Sequence, residues 1–340
     1  MRQIKQWLEK LLARESLSHD EMTAMMQALM AGELTEAQAA ALIVALRAKG
    51  ETVEEIAAAA SVMRALSQKV VTEDASVLVD TCGTGGDGQH TFNISTTVAF
   101  VVAAAGAKVA KHGGRSVTSS SGSADVLEAA GMNLAATPEQ TAASIREVGV
   151  GFLFAPAHHS AMKHVVGVRK ALGVRTLFNL LGPITNPAGV QRQVLGVFSN
   201  QWLEPMAQVL KTLGSQSVWV VHADDGLDEI SIATSTQVAA LGEDGQINCF
   251  SVSPEYVGYE RQSLATIKAS TKEESLAMMH RVFDNEAGPW RDIVCLNAGA
   301  ALLVAGLVSS FVEGVRLAET TLASGAAKAK FAQAIAYSQA

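Results

Sequence analysis

The chain of 340 residues contains few aromatic and few charged side chains. Aromatic residues make up 5% and charged residues 17%, whereas hydrophobic residues make up 49%. A disordered chain needs the opposite balance, so this composition excludes general disorder and predicts a sizeable buried core. At about 100 to 200 residues per domain, the length predicts one large domain or two unequal ones.

Cysteines are few, and the chain has no excess of positive charge. Cys82, Cys249 and Cys295 form no C-x-x-C pair, so we expect neither a disulfide framework nor a zinc site. The 26 Lys and Arg residues are outnumbered by 33 Asp and Glu residues, which argues against a nucleic-acid-binding protein. The charged N-terminal segment lacks the apolar core of a signal peptide. We therefore expect a cytoplasmic protein.

One uncharged run, residues 293–312, has the length of a membrane span. Asn297, two serines and two glycines interrupt it, and its flanks at Arg291 and Glu313 carry no basic cluster. We therefore expect a buried helix that ends near Gly306.

The first 70 or so residues have the pattern of helices. Apolar residues between Ile4 and Leu12 follow the helical period. Gly32 and Gly50 stand where the helices that precede them should end. Three capping boxes mark helix starts: Ser18 with Glu21, Thr35 with Gln38, and Thr52 with Glu55.

From Val77 onwards, short apolar runs alternate with helical segments, which is typical of an α/β domain with a mainly parallel sheet. The expected strands are 77–80, 108–111, 151–154, 194–198 and 218–221. The expected helices are 101–106, 123–130, 158–172 and one that starts at Pro138. Residues 238–241 and 247–250 are expected to form an added hairpin.

The glycine-rich segment 80–96 follows the first expected strand. Gly83, Gly85 and Gly88 have the spacing of a dinucleotide fingerprint, but the acidic residue that should follow about 20 positions later is missing. A nucleotide P-loop sequence is missing as well. Glycines that lead into a helix at Asn93 favour an anion site made of backbone N–H groups. The alternative is a plain turn with Asn93 or Ser95 as an N-cap.

A second polar segment follows the next expected strand. Lys111 and Arg115 precede a run of serine and threonine hydroxyls at 116–123, and this combination suits phosphate oxygens. A serine-rich surface loop is the alternative. Together with the glycine loop, the segment predicts a substrate with two phosphate groups.

Three further features have both a functional and a structural interpretation. Asp228 and Glu229 are adjacent at an expected strand end, where they would hold Mg²⁺ beside a diphosphate or form an acidic turn. A helix that carries His159 and Arg169 would present a carboxylate-binding guanidinium or a surface arginine. The turn-rich segment 175–189 is a domain hinge or a loop.

In this order, the motifs DTCGTGGDG, FNIST, KHGGR, GSADVLE, HHSAMK and LDEIS resemble the anthranilate phosphoribosyltransferase family over nearly the whole chain. The resemblance implies a small all-helical domain, 1–72, joined by part of 165–185, and a large α/β domain, 73–340, like that of class II nucleoside phosphorylases. It also implies a homodimer. The implied reaction is Mg²⁺-dependent transfer of the phosphoribosyl group from phosphoribosyl diphosphate (PRPP) to anthranilate, with release of pyrophosphate.

The resemblance also implies three sets of site residues. The implied PRPP site comprises Gly83, Gly86, Asp87, Thr91, Asn93, Ile94, Ser95, Thr96, Lys111, His112, Gly113, Gly114, Arg115, Ser116, Val117, Thr118, Ser119 and Ser123. The implied anthranilate site comprises Gly83, Gly114, His112, His159, Arg169 and Pro183. The implied metal site comprises Ser95, Asp228 and Glu229.

The sequence departs from the family at Gly114, where many relatives carry an Asn that contacts anthranilate, and at Ser120, where many carry Lys. Because an aromatic amine is neutral at pH 7, we expect neither a strong base nor a covalent nucleophile, and Cys82 is expected to be a packing residue. The alternatives are a pyrimidine nucleoside phosphorylase-like enzyme and a non-catalytic, nucleic-acid-binding relative.

Overall fold

The computed structural model describes residues 2–115 and 121–340. It begins with α1 (Arg2–Leu12), α2 (His19–Ala31), α3 (Glu36–Lys49) and α4 (Val53–Leu66). The three capping boxes are confirmed, because each hydroxyl accepts from the backbone N–H three residues on and the side chain there reaches back. Gly32 and Gly50 end α2 and α3 as expected.

A seven-stranded sheet forms the centre of the remaining chain. Its strands are β1 (Leu78–Gly83), β2 (Lys108–Gly113), β3 (Val150–Phe154), β4 (Arg192–Gly196), β5 (Ser217–Ala223), β6 (Thr236–Leu241) and β7 (Ile247–Val252). The strand order is β3-β2-β1-β4-β5-β6-β7. The first five strands in this order are parallel, and β6 and β7 are an antiparallel addition. The predicted fold class, the five parallel strands and the hairpin are confirmed.

Helices cover both faces of this sheet. They are α5 (Ile94–Ala104), α6 (Ser123–Ala129), α7 (Pro138–Glu147), α8 (Ala155–His158), α9 (Lys163–Leu172), α10 (Leu177–Leu181), α11 (Leu203–Thr212), α12 (Lys272–Phe283), α13 (Pro289–Val304), α14 (Phe311–Ala323) and α15 (Ala326–Ser338). Alternate residues of β5 point to opposite faces, so Trp219 joins the apolar cluster of α5 and α13, and Val220 joins that of α4 and α11.

Helix α5 starts at Ile94, seven residues before the predicted start at 101. Its first turns contain Ile94, Thr96, Thr97 and Val98, and β-branched residues weaken the intrinsic preference for a helix. Burial decides the conformation instead, because α5 is enclosed on nearly all sides. The prediction of a helix over 101–106 was therefore right in type and wrong in extent.

The single helix predicted over 158–172 is wrong, because the chain leaves the helical conformation at His159 (φ −117°, ψ 56°). A short 3₁₀ turn follows before α9 begins. His158 is tied to the segment after α4. The Gln68 N–H donates to the His158 carbonyl at 2.8 Å, and the Gln68 carbonyl lies 2.9 Å from Nδ1 of His158. His159 and Arg169 therefore do not share a helix.

The segment 175–189 is more ordered than a loop. Thr176 precedes α10, and a 3₁₀ turn covers Gly182–Ile184. Phe178 and Leu181 are buried in the same apolar cluster as residues of α1 to α4. The same cluster contains Val165 and Val168 of α9 as well as Val220 of β5. That part of 165–185 joins the helical domain stays a prediction. The boundary at residue 72 stays a prediction.

The uncharged run at 293–312 is largely α13, the predicted buried helix. Ile293, Cys295 and Leu302 are fully buried, and the helix ends at Val304, before Gly306. Gly299 packs against α14 so closely that an added Cβ would lie 2.5 Å from a Val315 methyl group. Among residues 2–115 and 121–340, no helix is long and apolar enough to cross a membrane.

Candidate active site

The strand order creates a crevice at the carboxyl ends of β1 and β4. From β1 the chain moves outward to β2 and β3, then returns to the other side of β1 with β4 and β5. In open α/β sheets, ligand-binding crevices form at such a reversal, outside the carboxyl ends of the strands. The glycine loop follows β1, and the turn 224–229 follows β5. Both predicted features therefore lie at this edge of the sheet.

The glycine loop has a backbone that other residues adopt only with strain. Gly85, Gly86 and Gly88 have φ values of 66°, 72° and 76°. Thr84 anchors the loop to the end of β4, since its N–H donates to the Gly196 carbonyl at 2.9 Å and its hydroxyl accepts from the Phe198 N–H at 3.0 Å. Left-handed glycines at a strand end are typical of loops that direct N–H groups towards an anion.

Asp228 lies across the ends of β1 and β4. The Gly85 N–H donates to Oδ2 of Asp228 at 2.7 Å. A Cβ atom on Gly83 would lie 2.4 Å from that oxygen, and one on Gly196 would lie 1.6 Å from the Asp228 carbonyl oxygen. Glycine is therefore required at both strand ends for the acidic turn to reach the glycine loop.

The acidic side chains of this crevice disfavour each other's charge. Burial raises the pKa of Asp228, and the carboxylate of Asp87 raises it further. Burial also raises the pKa of Glu229, and the charge of Asp228 adds to that effect. Lys111 and a hydrogen bond from Ser95 lower the pKa of Glu229, but by less. Buried carboxylates in this arrangement are stabilised by a nearby cation.

The donor set fits Mg²⁺. Carboxylate and hydroxyl oxygens from Asp228, Glu229 and Ser95 are hard ligands of the kind that this ion takes. Within the described residues, no group of three or more His, Cys, Asp and Glu side chains is arranged to hold a metal ion. Mg²⁺ is usually bound by one or two carboxylates and completed by water and substrate phosphates. The residues therefore suit an ion that binds together with a phosphate substrate.

The first turn of α5 reaches the same crevice, because the Ser95 side chain hydrogen-bonds to Glu229. Asn93 occupies the N-cap position, but its side chain makes no capping hydrogen bond, so it is not the simple cap of the alternative interpretation. The first-turn N–H groups of an α-helix have no intrahelical partner and carry partial positive charge. Ser95 and Thr96 lie in that turn, and the Thr96 hydroxyl is buried with no hydrogen-bond partner in the described part of the chain.

Residues on either side of this turn are held by the protein. Ile94 is buried in the core, and Thr91 forms an isolated bridge with Lys268. The Thr81 hydroxyl donates to the Ser95 carbonyl at 3.0 Å, which fixes the start of α5 to β1. The predicted positions at 91–96 are thus presented on a supported backbone.

The two predicted phosphate-binding cations have protein partners. Lys111 is buried on β2 and donates from Nζ to the Thr81 carbonyl. Arg115 is exposed and pairs with Asp125 and Glu128, at 3.0 Å and 2.8 Å. Lys111 faces the carboxylate crevice, whereas Arg115 would have to exchange ion pairs to reach a phosphate.

Glycines also shape the turn after β2. A Cβ on Gly113 would lie 2.1 Å from the Ser123 hydroxyl oxygen. A Cβ on Gly114 would have only the Ala155 methyl group nearby, at 3.8 Å, so this departure from the family leaves open space. Ser116, Val117, Thr118 and Ser119, which were predicted to bind phosphate, and the departure Ser120 lie outside the described residues.

Two buried histidines face each other beside Pro183. The rings of His112 and His159 have centroids 5.2 Å apart, and neither Nε2 atom has a hydrogen-bond partner among the described residues. Burial lowers the pKa of His112 well below its ordinary value, and the neighbouring His159 lowers it further. Burial is also the main reason why the pKa of His159 falls to about 4. Both rings are therefore neutral at pH 7. Pro183 is buried in the turn after α10, and the backbone of that turn reaches both rings, with Gly182 hydrogen-bonded to His112 and Thr185 to His159.

Arg169 lies on α9, where its guanidinium carbon is 5.3 Å from the centre of the Phe178 ring. It is half-buried, and desolvation lowers its pKa. The Arg169 guanidinium lies over an aromatic ring and makes no ion pair in the described part of the chain. It is therefore free to receive a carboxylate.

Comparison with known proteins defines the family. Residues 5–67 match the helical bundle domain of a glycosyl transferase family, and residues 75–328 match its a/b domain. The anthranilate phosphoribosyltransferase of Hydrogenovibrio crunogenus is 56% identical over 337 residues, which are 99% of each chain. The chain belongs to the anthranilate phosphoribosyltransferase family.

Solved structures of this family have the same fold. The anthranilate phosphoribosyltransferase of Thermus thermophilus is 44% identical, with a TM-score of 0.93 over 98% of this chain and 99% of that one. The Saccharomyces cerevisiae enzyme, solved in complex with PRPP and Mg, is 27% identical, with a TM-score of 0.88 over 99% of this chain and 98% of that one.

Sequence reasoning missed a buried polar network under the family motifs. Asp80 is fully buried and accepts from the His112 N–H at 3.2 Å and from Nδ2 of Asn186 at 2.8 Å. Gln193 donates to the Pro183 carbonyl at 2.8 Å and to the Cys82 sulfur at 3.0 Å. Burial raises the pKa of the Cys82 thiol well above its usual range, which fits a packing role. The network ties β1 to the segment that carries Pro183.

Arg175 was also missed as a site residue. Its Nη2 donates to the Gly86 carbonyl at 2.9 Å, and its guanidinium carbon lies 4.5 Å from the centre of the Phe198 ring. The Arg175 carbonyl accepts a hydrogen bond from Arg47 of α3. Arg175 begins the turn-rich segment 175–189, but only the fold shows that it connects the helical bundle to the glycine loop.

Proposed function

We propose that the protein transfers the phosphoribosyl group of PRPP to the amine of anthranilate, a step of tryptophan biosynthesis. The C1–O bond to the diphosphate breaks, a C1–N bond forms, and the amine loses a proton as pyrophosphate leaves. The observation that carries the proposal is the contact of Asp228 with Gly83 and Gly85 at the reversal point of the sheet. It places a carboxylate pair against an anion loop, in a chain of this family.

PRPP is assigned to the crevice between the glycine loop and the start of α5. Backbone N–H groups at Gly83 and Gly86 and the first turn at Asn93 to Thr96 would surround the phosphates. Lys111 contributes the buried positive charge. Preorganised donors of this kind stabilise the charge that develops on the departing diphosphate.

Mg²⁺ is assigned to Asp228 and Glu229, with Ser95 beside them. Its charge would neutralise the diphosphate as a leaving group and bind it against the protein. Burial and mutual repulsion raise the pKa of both carboxyl groups, and a bound cation would relieve that repulsion. The yeast relative, solved in complex with PRPP and Mg, supports the choice of metal.

Anthranilate is assigned to His112, His159, Pro183 and Arg169. Arg169 would bind the carboxylate, and the neutral histidine rings would form the walls for the aromatic ring. The aromatic amine is already neutral at pH 7, so the site has to hold its nitrogen against C1 of the sugar rather than deprotonate it first. The carboxyl-group contact supplies that orientation.

Loss of anthranilate fluorescence tests the proposal. The purified protein with PRPP and Mg²⁺ is expected to consume anthranilate, and omission of PRPP or addition of EDTA should stop the loss. Turnover of thymidine with inorganic phosphate is measured in parallel, because it is the reaction that a pyrimidine nucleoside phosphorylase would catalyse. Turnover of thymidine in place of anthranilate would overturn the proposal, as would salt-dependent DNA binding without turnover of either substrate pair.

We also propose that the protein is a cytoplasmic homodimer. Leu12 of α1 and Val44 of α3 are 65% and 42% exposed, and these two helices pack against each other. Contiguous exposed apolar patches mark subunit interfaces, and we place the interface on these two helices. Light scattering should give a mass of two chains.

A further inference from the structure

Asn93, at the start of α5, is held by a serine from a distant helix. Ser275 lies in the first turn of α12 and is fully buried. The Asn93 backbone N–H donates to the Ser275 hydroxyl oxygen at 2.9 Å. The Ser275 hydroxyl donates in turn to Oδ1 of Asn93 at 2.7 Å. This reciprocal pair fixes both the backbone and the side chain of Asn93.

A second serine completes the arrangement. The Ser121 hydroxyl donates to Oδ1 of Asn93 at 3.1 Å, and Nδ2 of Asn93 donates to the Ser121 carbonyl at 3.4 Å. A carboxamide has one acceptor oxygen and two N–H protons. Oδ1 is therefore occupied by two donors, and one N–H proton of Nδ2 is left without a partner in the described part of the chain.

The position of Ser275 is itself well supported. The Phe92 N–H donates to the Ile267 carbonyl and the Ala269 N–H donates to the His90 carbonyl, both at 2.9 Å. These bonds hold the segment before α12 along the glycine loop. Thr271 then caps α12, which places Ser275 in its first turn.

We propose that Ser275 is a positioning residue for PRPP binding. By holding Oδ1 of Asn93 inward, Ser275 turns the carboxamide so that it offers an N–H rather than an oxygen to a phosphate. A carboxamide that could rotate would lose orientational entropy on binding and would place its oxygen against an anion in part of the population. The inference rests on the proposed function, in which Asn93 contacts PRPP.

The test is Ser275→Ala, measured by steady-state kinetics and by calorimetric binding of PRPP with Mg²⁺. We expect the KM and the Kd for PRPP to rise about three- to tenfold, which corresponds to one lost hydrogen bond. The KM for anthranilate and kcat should stay within about twofold, because Ser275 acts only through Asn93. If Ser275 had a purely structural role, Ser275→Ala would lower thermal stability but would not raise the KM for PRPP more than the KM for anthranilate.

Ser263→Ala is the matched control, since Ser263 is an exposed capping serine of the same segment, with its oxygen 3.2 Å from the Ala265 N–H. It should leave both KM values unchanged. In an Asn93→Ala background, Ser275→Ala should cause no further rise in the Kd for PRPP, because the residue through which it acts is gone.

Two results would overturn the inference: an unchanged Kd for PRPP in Ser275→Ala, or a full additional effect in the Asn93→Ala background. Neither result depends on turnover, because PRPP binding is measured directly. Failure of the proposed function would show differently, as an unsubstituted protein that binds PRPP and does not consume anthranilate.

Discussion

Gly83 and Asp228 are in contact across the reversal point of the sheet, because the missing side chain of Gly83 leaves the space that Oδ2 of Asp228 occupies. A methyl group at residue 83 would displace the acidic turn from the glycine loop. A shift of about 1 Å at a reacting site costs about 100-fold in rate. We therefore expect Gly83→Ala to lower kcat/KM at least about 100-fold, measured by anthranilate fluorescence.

The control for this substitution is Gly167→Ala. Gly167 lies inside α9, and an added Cβ there would meet no atom within 4 Å. This alanine should leave activity unchanged and raise the melting temperature slightly, because alanine favours a helix over glycine. Equal activity of Gly83→Ala and Gly167→Ala would contradict the assigned contact.

Asp228 and Glu229 are expected to set the Mg²⁺ dependence of the reaction. Replacing both with alanine should remove most Mg²⁺-dependent activity, about 100- to 1,000-fold at limiting Mg²⁺, because the diphosphate loses its charge partner. The fold should persist, since two unfavourably buried carboxyl groups are removed. Asp224→Ala is the control, because Asp224 is an exposed carboxylate of the same turn and accepts a hydrogen bond from Gln237. An unaltered Mg²⁺ titration curve in the double variant would refute the metal site.

Arg169 is expected to act on anthranilate rather than on PRPP. Arg169→Ala should raise the KM for anthranilate by about 10- to 100-fold, the range for a lost charge-assisted hydrogen bond, and leave the KM for PRPP nearly unchanged. The neighbouring exposed residue supplies the control, Lys170→Ala, which should change neither value. A parallel rise in both KM values in Arg169→Ala would count against the role.

The buried histidine pair predicts an acid-sensitive fold. The folded-state pKa of His159 is about 4, below its ordinary value of 6.5, and the pKa of His112 is lowered too. The unfolded chain therefore binds more protons below pH 6.5, so stability falls as the pH decreases from 6.5 towards 4. His159 alone accounts for about 3 kcal/mol of this loss.

Urea denaturation over this pH range measures the effect. His159→Phe should make the fall in the free energy of unfolding less steep, because one titrating group is removed. Val166→Ala, which changes an exposed side chain of α9 that does not titrate, should keep the original slope. Identical slopes for His159→Phe and the unsubstituted protein would show that His159 is not a source of the pH dependence.

Much of the fold was predictable because its signals are local. Capping boxes such as Thr52 with Glu55 act within one helical turn, and the alternation of apolar runs with helical segments reports a parallel sheet. The start of α5 was not predictable in this way. There, β-branched residues weaken the local preference, and burial on all sides overrides it.

Sequence could predict the part of the candidate site in which one short motif supplies both the binding groups and the glycines that shape the backbone, as in the glycine loop. The site was not predictable where the partner is remote. Ser275 is 182 residues from Asn93, and Arg175 is 89 residues from Gly86. Contacts between residues so far apart produce no recognisable local sequence pattern.

The sequence by itself determined the family and most of the elements, because composition, caps, glycines and ordered motifs are properties of short segments. Only the tertiary structure decided that Asp228 meets Gly83 and that His112 faces His159. Those contacts depend on the strand order, which brings the carboxyl ends of β1, β2 and β4 to one edge of the sheet. Burial and neighbouring charges then shift the pKa values of these side chains. Because both effects come from residues that are far apart in the sequence, the sequence alone does not reveal them.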